Sequence, residues 1–250
     1  MRRALFLLLP LFVGMIFIAI WQIGAMNAKN KYMKATAVEV AKELVDNRGE
    51  YLRESGVTLL EASAGFATGN VIAFCLALWS FKSHIAKIVI YPYAIGLKAT
   101  PVVALAPVLV TLLGLDYGTK IAASALVCFF PLIVQLPPAM ERVPDEIVEM
   151  FRAYGASDRD VLIKLRLKSS SHDIFSALKT SSTLSVVGAI VGEFISPGAG
   201  IGKLIVRGSA NSLAPQMYAA TLVAAGIGIT LFLCIVAIQA FFIRWQPETI

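Results

Sequence analysis

Few side chains in this 250-residue sequence have the types and spacing needed for chemistry. The run Gly198-Ala199-Gly200-Ile201-Gly202-Lys203 invites a phosphate-binding reading. A phosphate loop needs glycine five positions before its Gly-Lys glycine, and Ser or Thr after the lysine. Pro197 and Leu204 stand at those positions, so a flexible outer loop is expected and nucleotide binding is not. Cys75, Cys128 and Cys234 fall inside apolar runs and read as packing residues, with neither a disulfide framework nor a CxxC pair. His84 and His172 lack ligand spacing and read as loop residues at headgroup level. The sequence has no HExxH, no GxSxG and no paired intramembrane carboxylates, so no catalytic residue, metal or cofactor is expected. Glu61, Lys98 and Glu193 are the ionisable residues inside apolar runs. Charge at membrane depth is costly and points to function, here a place on a translocation pathway. The competing reading is interfacial. Glu61 starts its run, Glu193 ends its own, and Lys98 could snorkel.

The elements that must position these residues follow from composition. Hydrophobic residues make up 58% and charged residues 15% of the chain, against about a quarter charged in soluble domains. The fold class expected is all-α, a polytopic membrane protein with about six transmembrane helices. The net charge of +6 is explained by Lys and Arg collecting in cytoplasmic loops, without a nucleic-acid partner. Residues 1–56 are expected to form a first transmembrane helix, Ala4 to Ala25, and an outer amphipathic segment. A cleaved signal peptide ending near Ala28 is the alternative, and the apolar run is long for one. Residues 57–245 form the main transmembrane unit. Its second span, Val57 to Trp79, carries Gly65 and Gly69, a spacing that permits close helix approach. Ile85 to Leu113 is too long for one straight span and is expected to break at Lys98-Ala99-Thr100-Pro101. Such a break survives where it lines a wet cavity or is packed by neighbours, and both readings stand. Spans follow at Lys120 to Met140, Ile174 to Ile195 and Met217 to Trp245.

Between the fourth and fifth spans, Pro144 to Lys168 is charged and amphipathic. Ile147, Val148, Phe151 and Tyr154 recur at helical spacing and are expected on one exposed face. Gly155 ends that helix, and Ser157 with Asp160 caps a second. Arg142, Arg152, Arg159, Lys164, Arg166 and Lys168 dominate the Lys and Arg majority expected inside, which places this loop in the cytoplasm. Lys29, Lys31 and Lys34 of the outer segment count against that topology, and Lys120 is expected outside with them.

Glu149-Met150-Phe151-Arg152-Ala153-Tyr154-Gly155 resembles the EAA motif of ATP-binding-cassette importer permeases. Glu149 and Gly155 match the motif's acid and glycine, and Leu165 and Leu167 fall at its later apolar positions. Met150 and Phe151 replace two alanines, and Lys168 replaces a proline. Lys98 through Pro107, Leu113-Gly114, Phe130-Pro131 and Val191 through Gly202 are similar to the nitrate/sulfonate/taurine-type branch. The resemblance implies an inner-membrane permease subunit with no enzymatic activity of its own. It pairs with a second permease, as a homodimer, and docks on cytoplasmic ATPase subunits. It receives substrate from an extracytoplasmic binding protein. Ile147, Val148, Glu149, Phe151, Arg152, Ala153, Tyr154 and Gly155 would form the coupling segment. Lys98, Thr100, Pro101, Glu61 and Glu193 would border the pathway. The implied substrate is a small anion or similar nutrient of the nitrate, sulfonate or taurine kind. The rival reading is a gradient-driven secondary transporter or channel.

Overall fold

The computed structural model describes residues 2–27 and 35–243. Its elements are α1 (Arg2–Asn27), α2 (Ala37–Asp46), α3 (Arg48–Lys82), α4 (His84–Ala99), α5 (Val102–Leu113), α6 (Tyr117–Glu141) and α7 (Asp145–Ala153). There follow α8 (Asp158–Asp160), a π-helical turn (Val161–Arg166), α9 (Leu167–Ser169), α10 (Ser171–Ile195), α11 (Ile201–Ala210) and α12 (Ala214–Phe242). No strand occurs among the described residues. Four described helices, α3, α6, α10 and α12, are long and apolar enough to cross a membrane. The α4–α5 pair is long and apolar enough only when taken together, and is bent by 95°, as a broken span or a re-entrant loop is. Over the first predicted span, α1 is a 26-residue helix. Lys29, Lys31 and Lys34 of the predicted outer segment, and Arg244 and Trp245 at the end of the last predicted span, lie outside the described residues.

Two boundaries differ from expectation. The second span was expected from Val57, but α3 begins at Arg48 and runs unbroken for 35 residues. At 1.5 Å per residue that is roughly 52 Å, against an apolar bilayer core of about 30 Å. Its first turns therefore project beyond the bilayer. The region Ser196 to Pro215 is not a flexible loop. It contains α11, whose Ile201 and Leu204 are fully buried. The glycines before α11 let its first turn sit against α3 and α10.

At the centre of the fold, α6 is packed between α3 and α10. The close approach comes from small residues facing one another. A Cβ at Gly65 would lie 2.2 Å from Ser124 Oγ, and one at Gly188 would lie 2.6 Å from Ser124 Cα. Thus the glycine pair of the second span serves contact within the chain. Buried hydroxyls add cross-helix hydrogen bonds. Ser124 donates to the Ser185 carbonyl at 2.8 Å, and Ser181 to the Cys128 carbonyl at 2.7 Å. In a bilayer, packing and such bonds hold helices together, because lipid is as apolar as leucine. Ala73, Ala77, Leu132, Ile133, Leu136 and Met140 complete the core toward the hairpin.

A Cβ at Gly188 meets the α6 backbone, which cannot rotate away. Gly188→Ala is therefore expected to destabilise the protein by about 1–3 kcal/mol. Gly226→Ala, facing open space on α12, is expected to cause no loss. Chemical unfolding of the two variants in the same micelle checks both.

Candidate functional site

The segment between α6 and α10 folds as a rigid hairpin. Pro144 precedes α7, and Asp145 and Glu146 occupy its first turn, where the helix dipole favours acids. The helix ends in a Schellman motif. Gly155 takes φ +80, its amide donates to the Arg152 carbonyl at 2.9 Å, and the Ala156 amide donates to the Phe151 carbonyl at 3.1 Å. A complete capping box then starts α8. Ser157 Oγ accepts from the Asp160 amide, and Asp160 accepts from the Ser157 amide. Bonds from Lys164 and Ser157 draw the Asp160 carboxyl down to about 2. This contribution is present above the ordinary carboxylate range and is lost only as pH falls toward 2. Arg152 reaches across the turn to Asp158 at 2.9 Å.

The predicted apolar face divides. Val148 is buried against Val143, Val161 and Leu165, and Phe151 packs on the same cluster. These residues hold the hairpin together, so the expectation that all four apolar positions are exposed is corrected. The π-helical turn widens the backbone where Val161, Leu162 and Leu165 meet the rest of the chain. The outward side of α7 consists of Ile147, 39% exposed, Met150, 49% exposed, and Tyr154, 86% exposed. Met150 was missed as a surface residue, although its spacing from Ile147 and Tyr154 places the three on one side. Glu149 and Ala153 are also exposed.

The second location is the break between α4 and α5. Thr100 ends α4, its amide and its hydroxyl both bonding the Gly96 carbonyl, at 3.2 and 3.0 Å. Pro101 then redirects the chain into α5. A cavity of about 420 Å³ opens beside the break. Lys98, Thr100, Gln135 and Thr180 give it polar atoms, and Phe130, Pro131 and Leu184 are among its apolar walls. Pro101 shapes the turn but does not line the cavity. Gln135 and Thr180 were missed. Gln135 had a signal, a lone polar residue inside an apolar run, whereas Thr180 lies in the polar stretch Lys179-Thr180-Ser181-Ser182-Thr183 and had none.

Glu61 and Glu193 lie elsewhere, at the far end of the bundle from the hairpin. Each is fully buried within the protein. Lys120, expected outside, is also buried and pairs with Glu61 at 3.0 Å. Its ammonium also donates to the Ala199 carbonyl at 2.8 Å. Glu193 accepts from Thr58 Oγ at 2.6 Å and from the Gly202 amide at 2.5 Å. The Gly200 amide donates to Glu54 at 2.7 Å, and the Ile201 amide to Thr58 Oγ at 2.8 Å. The glycine run is therefore an anion nest filled by the protein's own carboxylates. Neither Glu61 nor Glu193 borders the cavity. Among the described residues, no group of three or more His, Cys, Asp and Glu could hold a metal ion.

A helical bundle with four helices long and apolar enough to cross a membrane, and a cavity beside the bent α4–α5 pair, is the architecture of a polytopic membrane protein. The chain belongs to the family of binding-protein-dependent transport system inner membrane components, whose sequence profile matches residues 69–246. It is 25% identical to the formylaminopyrimidine transport permease protein ThiX of Halalkalibacterium halodurans, over 99% of this chain and all of that one. It is 28% identical to the riboflavin transport system permease protein RibX of Chloroflexus aurantiacus, over 63% of this chain and 59% of that one. It is 23% identical to the putative aliphatic sulfonates transport permease protein SsuC of Bacillus subtilis, over 85% of this chain and 78% of that one. The protein is thus a multi-pass inner-membrane permease subunit of binding-protein-dependent transport.

Removing one partner of a buried ion pair strands the other. Lys120→Met is expected to cost about 3–5 kcal/mol, and adding Glu61→Gln should restore part of that loss. A double-mutant cycle of unfolding free energies measures the recovery.

Proposed function

We propose that this chain is the pathway-forming subunit of an ATP-driven importer, with the hairpin as its docking element for a cytoplasmic ATPase. The single observation that carries this reading is the outward side of α7. Ile147, Met150 and Tyr154 stand exposed on a hairpin fixed from within by Val148 and Phe151. A helix end held by a Schellman turn and a capping box transmits displacement better than a loose loop does. Glu149 borders the docking side, Arg152 stiffens the turn through Asp158, and Gly155 sets its angle.

Substrate passes beside the α4–α5 break. Lys98, Thr100 and Pro101 shape one side of that route, with Gln135 and Thr180 opposite. A second copy of the chain closes the open face of the cavity. Lys98 is the one cation among the lining residues, which favours a small anion such as a sulfonate. An extracytoplasmic binding protein delivers the substrate. ATP binding draws the two hairpins together and shifts a two-state equilibrium toward the outward-open form, and hydrolysis resets it. Glu61 and Glu193 hold helices together away from the route.

Met150→Asp with Tyr154→Asp changes exposed residues, so folding is retained. At a docking surface, losing an aromatic anchor costs about 2 kcal/mol or more. ATPase copurification and ATP-driven uptake should both fall at least about tenfold. Full retention of both would refute the docking role. Lys98→Met should instead lower uptake of a small sulfonate while leaving copurification intact.

A further inference from the structure

A second cavity, of about 500 Å³, lies between the hairpin end of α3 and the hairpin itself. Its charged lining consists of three cations, Lys82, Arg152 and Arg166, and one carboxylate, Asp158. Phe81, Val148, Val161 and Leu162 supply the apolar remainder. Arg166 is held in place. Its guanidinium lies over the Phe81 ring at 5.2 Å and donates to the Met140 carbonyl at 2.8 Å. Its nearest carboxylate oxygen, on Asp145, is 4.0 Å away and belongs to a side chain that is 92% exposed. Arg152 is paired with Asp158, at 2.9 Å. Lys82 has no ion pair or hydrogen bond to another described side chain. The cavity therefore carries uncompensated positive charge.

Its depth is marked by α3. Trp79, 58% exposed, sits one turn before Lys82, where an amphipathic ring suits the headgroup level. Exposed Ile85, Ile88 and Val89 continue an apolar surface along the neighbouring α4. A phosphate at this level with chains running along such a surface is the chemistry of a phospholipid. Basic pockets between transmembrane helices at a membrane face suit anionic headgroups.

We propose that this cavity binds the phosphate-bearing headgroup of an anionic phospholipid. The lipid phosphate bridges Lys82 on α3 to Arg152 on the hairpin and ties the hairpin to the transmembrane bundle. The proposal is independent of whether the outward side of α7 docks an ATPase, because none of Ile147, Met150 and Tyr154 lines this cavity.

The test is native mass spectrometry of the full-length purified chain with phosphatidylglycerol and with phosphatidylcholine of identical acyl chains. Phosphatidylglycerol is expected to bind about tenfold more tightly. Lys82→Gln with Arg152→Gln should abolish that preference. Lys82→Arg should keep it, as should Lys87→Gln at the same interface, where Lys87 is paired with Glu141 at 2.7 Å. Equal affinity for the two lipids, or an undiminished preference in the double variant, would overturn the proposal. Displacement of phosphatidylglycerol by millimolar inorganic phosphate would overturn the lipid as the source of the phosphate.

Discussion

A polar group inside a bilayer has no water to turn to, so the protein must supply its partner. The rest of this structure depends on how that constraint is met at the far end of the bundle. Lys120 on α6 meets Glu61 on α3, and Glu193 on α10 meets Thr58 on α3 and the first turn of α11. These contacts join four helices. They work only because glycine and serine let the backbones approach until the charges are within bonding distance. A Cβ at Gly192 would lie 2.7 Å from Lys120 Cα, and one at Gly200, where φ is +107, would strike the Glu193 carboxylate. Close packing and charge pairing are therefore one design seen from two sides.

With α3, α6 and α10 fixed to one another, variation is left to what they do not hold. The α4–α5 pair is bent at Thr100 and Pro101 beside a cavity, and α12 presents apolar side chains over most of its surface. The hairpin joins the bundle through the short connection at Val143 and Pro144, through α9, through Leu162 in the core and through Arg166, which bonds the Met140 carbonyl and lies over Phe81. The polar side chains of the cavity, Lys98, Thr100, Gln135 and Thr180, come from three of these elements, so relative motion would rearrange them.

Much of this was legible in the sequence, because its signals were local. The break at Thr100-Pro101, the stop at Gly155 and the Ser157 cap each depend on one residue's backbone or hydrogen-bonding chemistry, and each appears where expected. What was misread depended on contacts between distant residues. Lys120 reads as an outer cation until Glu61 is seen beside it. Val148 and Phe151 share a helical face with Ile147 and Tyr154, and periodicity alone does not say which edge of that face the second helix covers. The glycine run at 198–202 was expected to be a flexible loop, yet its amides bind the carboxylates of Glu54 and Glu193. No spacing rule could have named those partners, which lie up to 146 positions away.

The central claim is that the outward side of α7 is the contact for an ATPase subunit. The most direct measurement is disulfide-scale cross-linking in the assembled transporter, with single cysteines introduced by Tyr154→Cys and Val148→Cys in a cysteine-free background. The account predicts efficient cross-linking of Tyr154→Cys to the ATPase, responsive to nucleotide, and none from Val148→Cys. Failure at Tyr154→Cys in a complex that copurifies intact would contradict it.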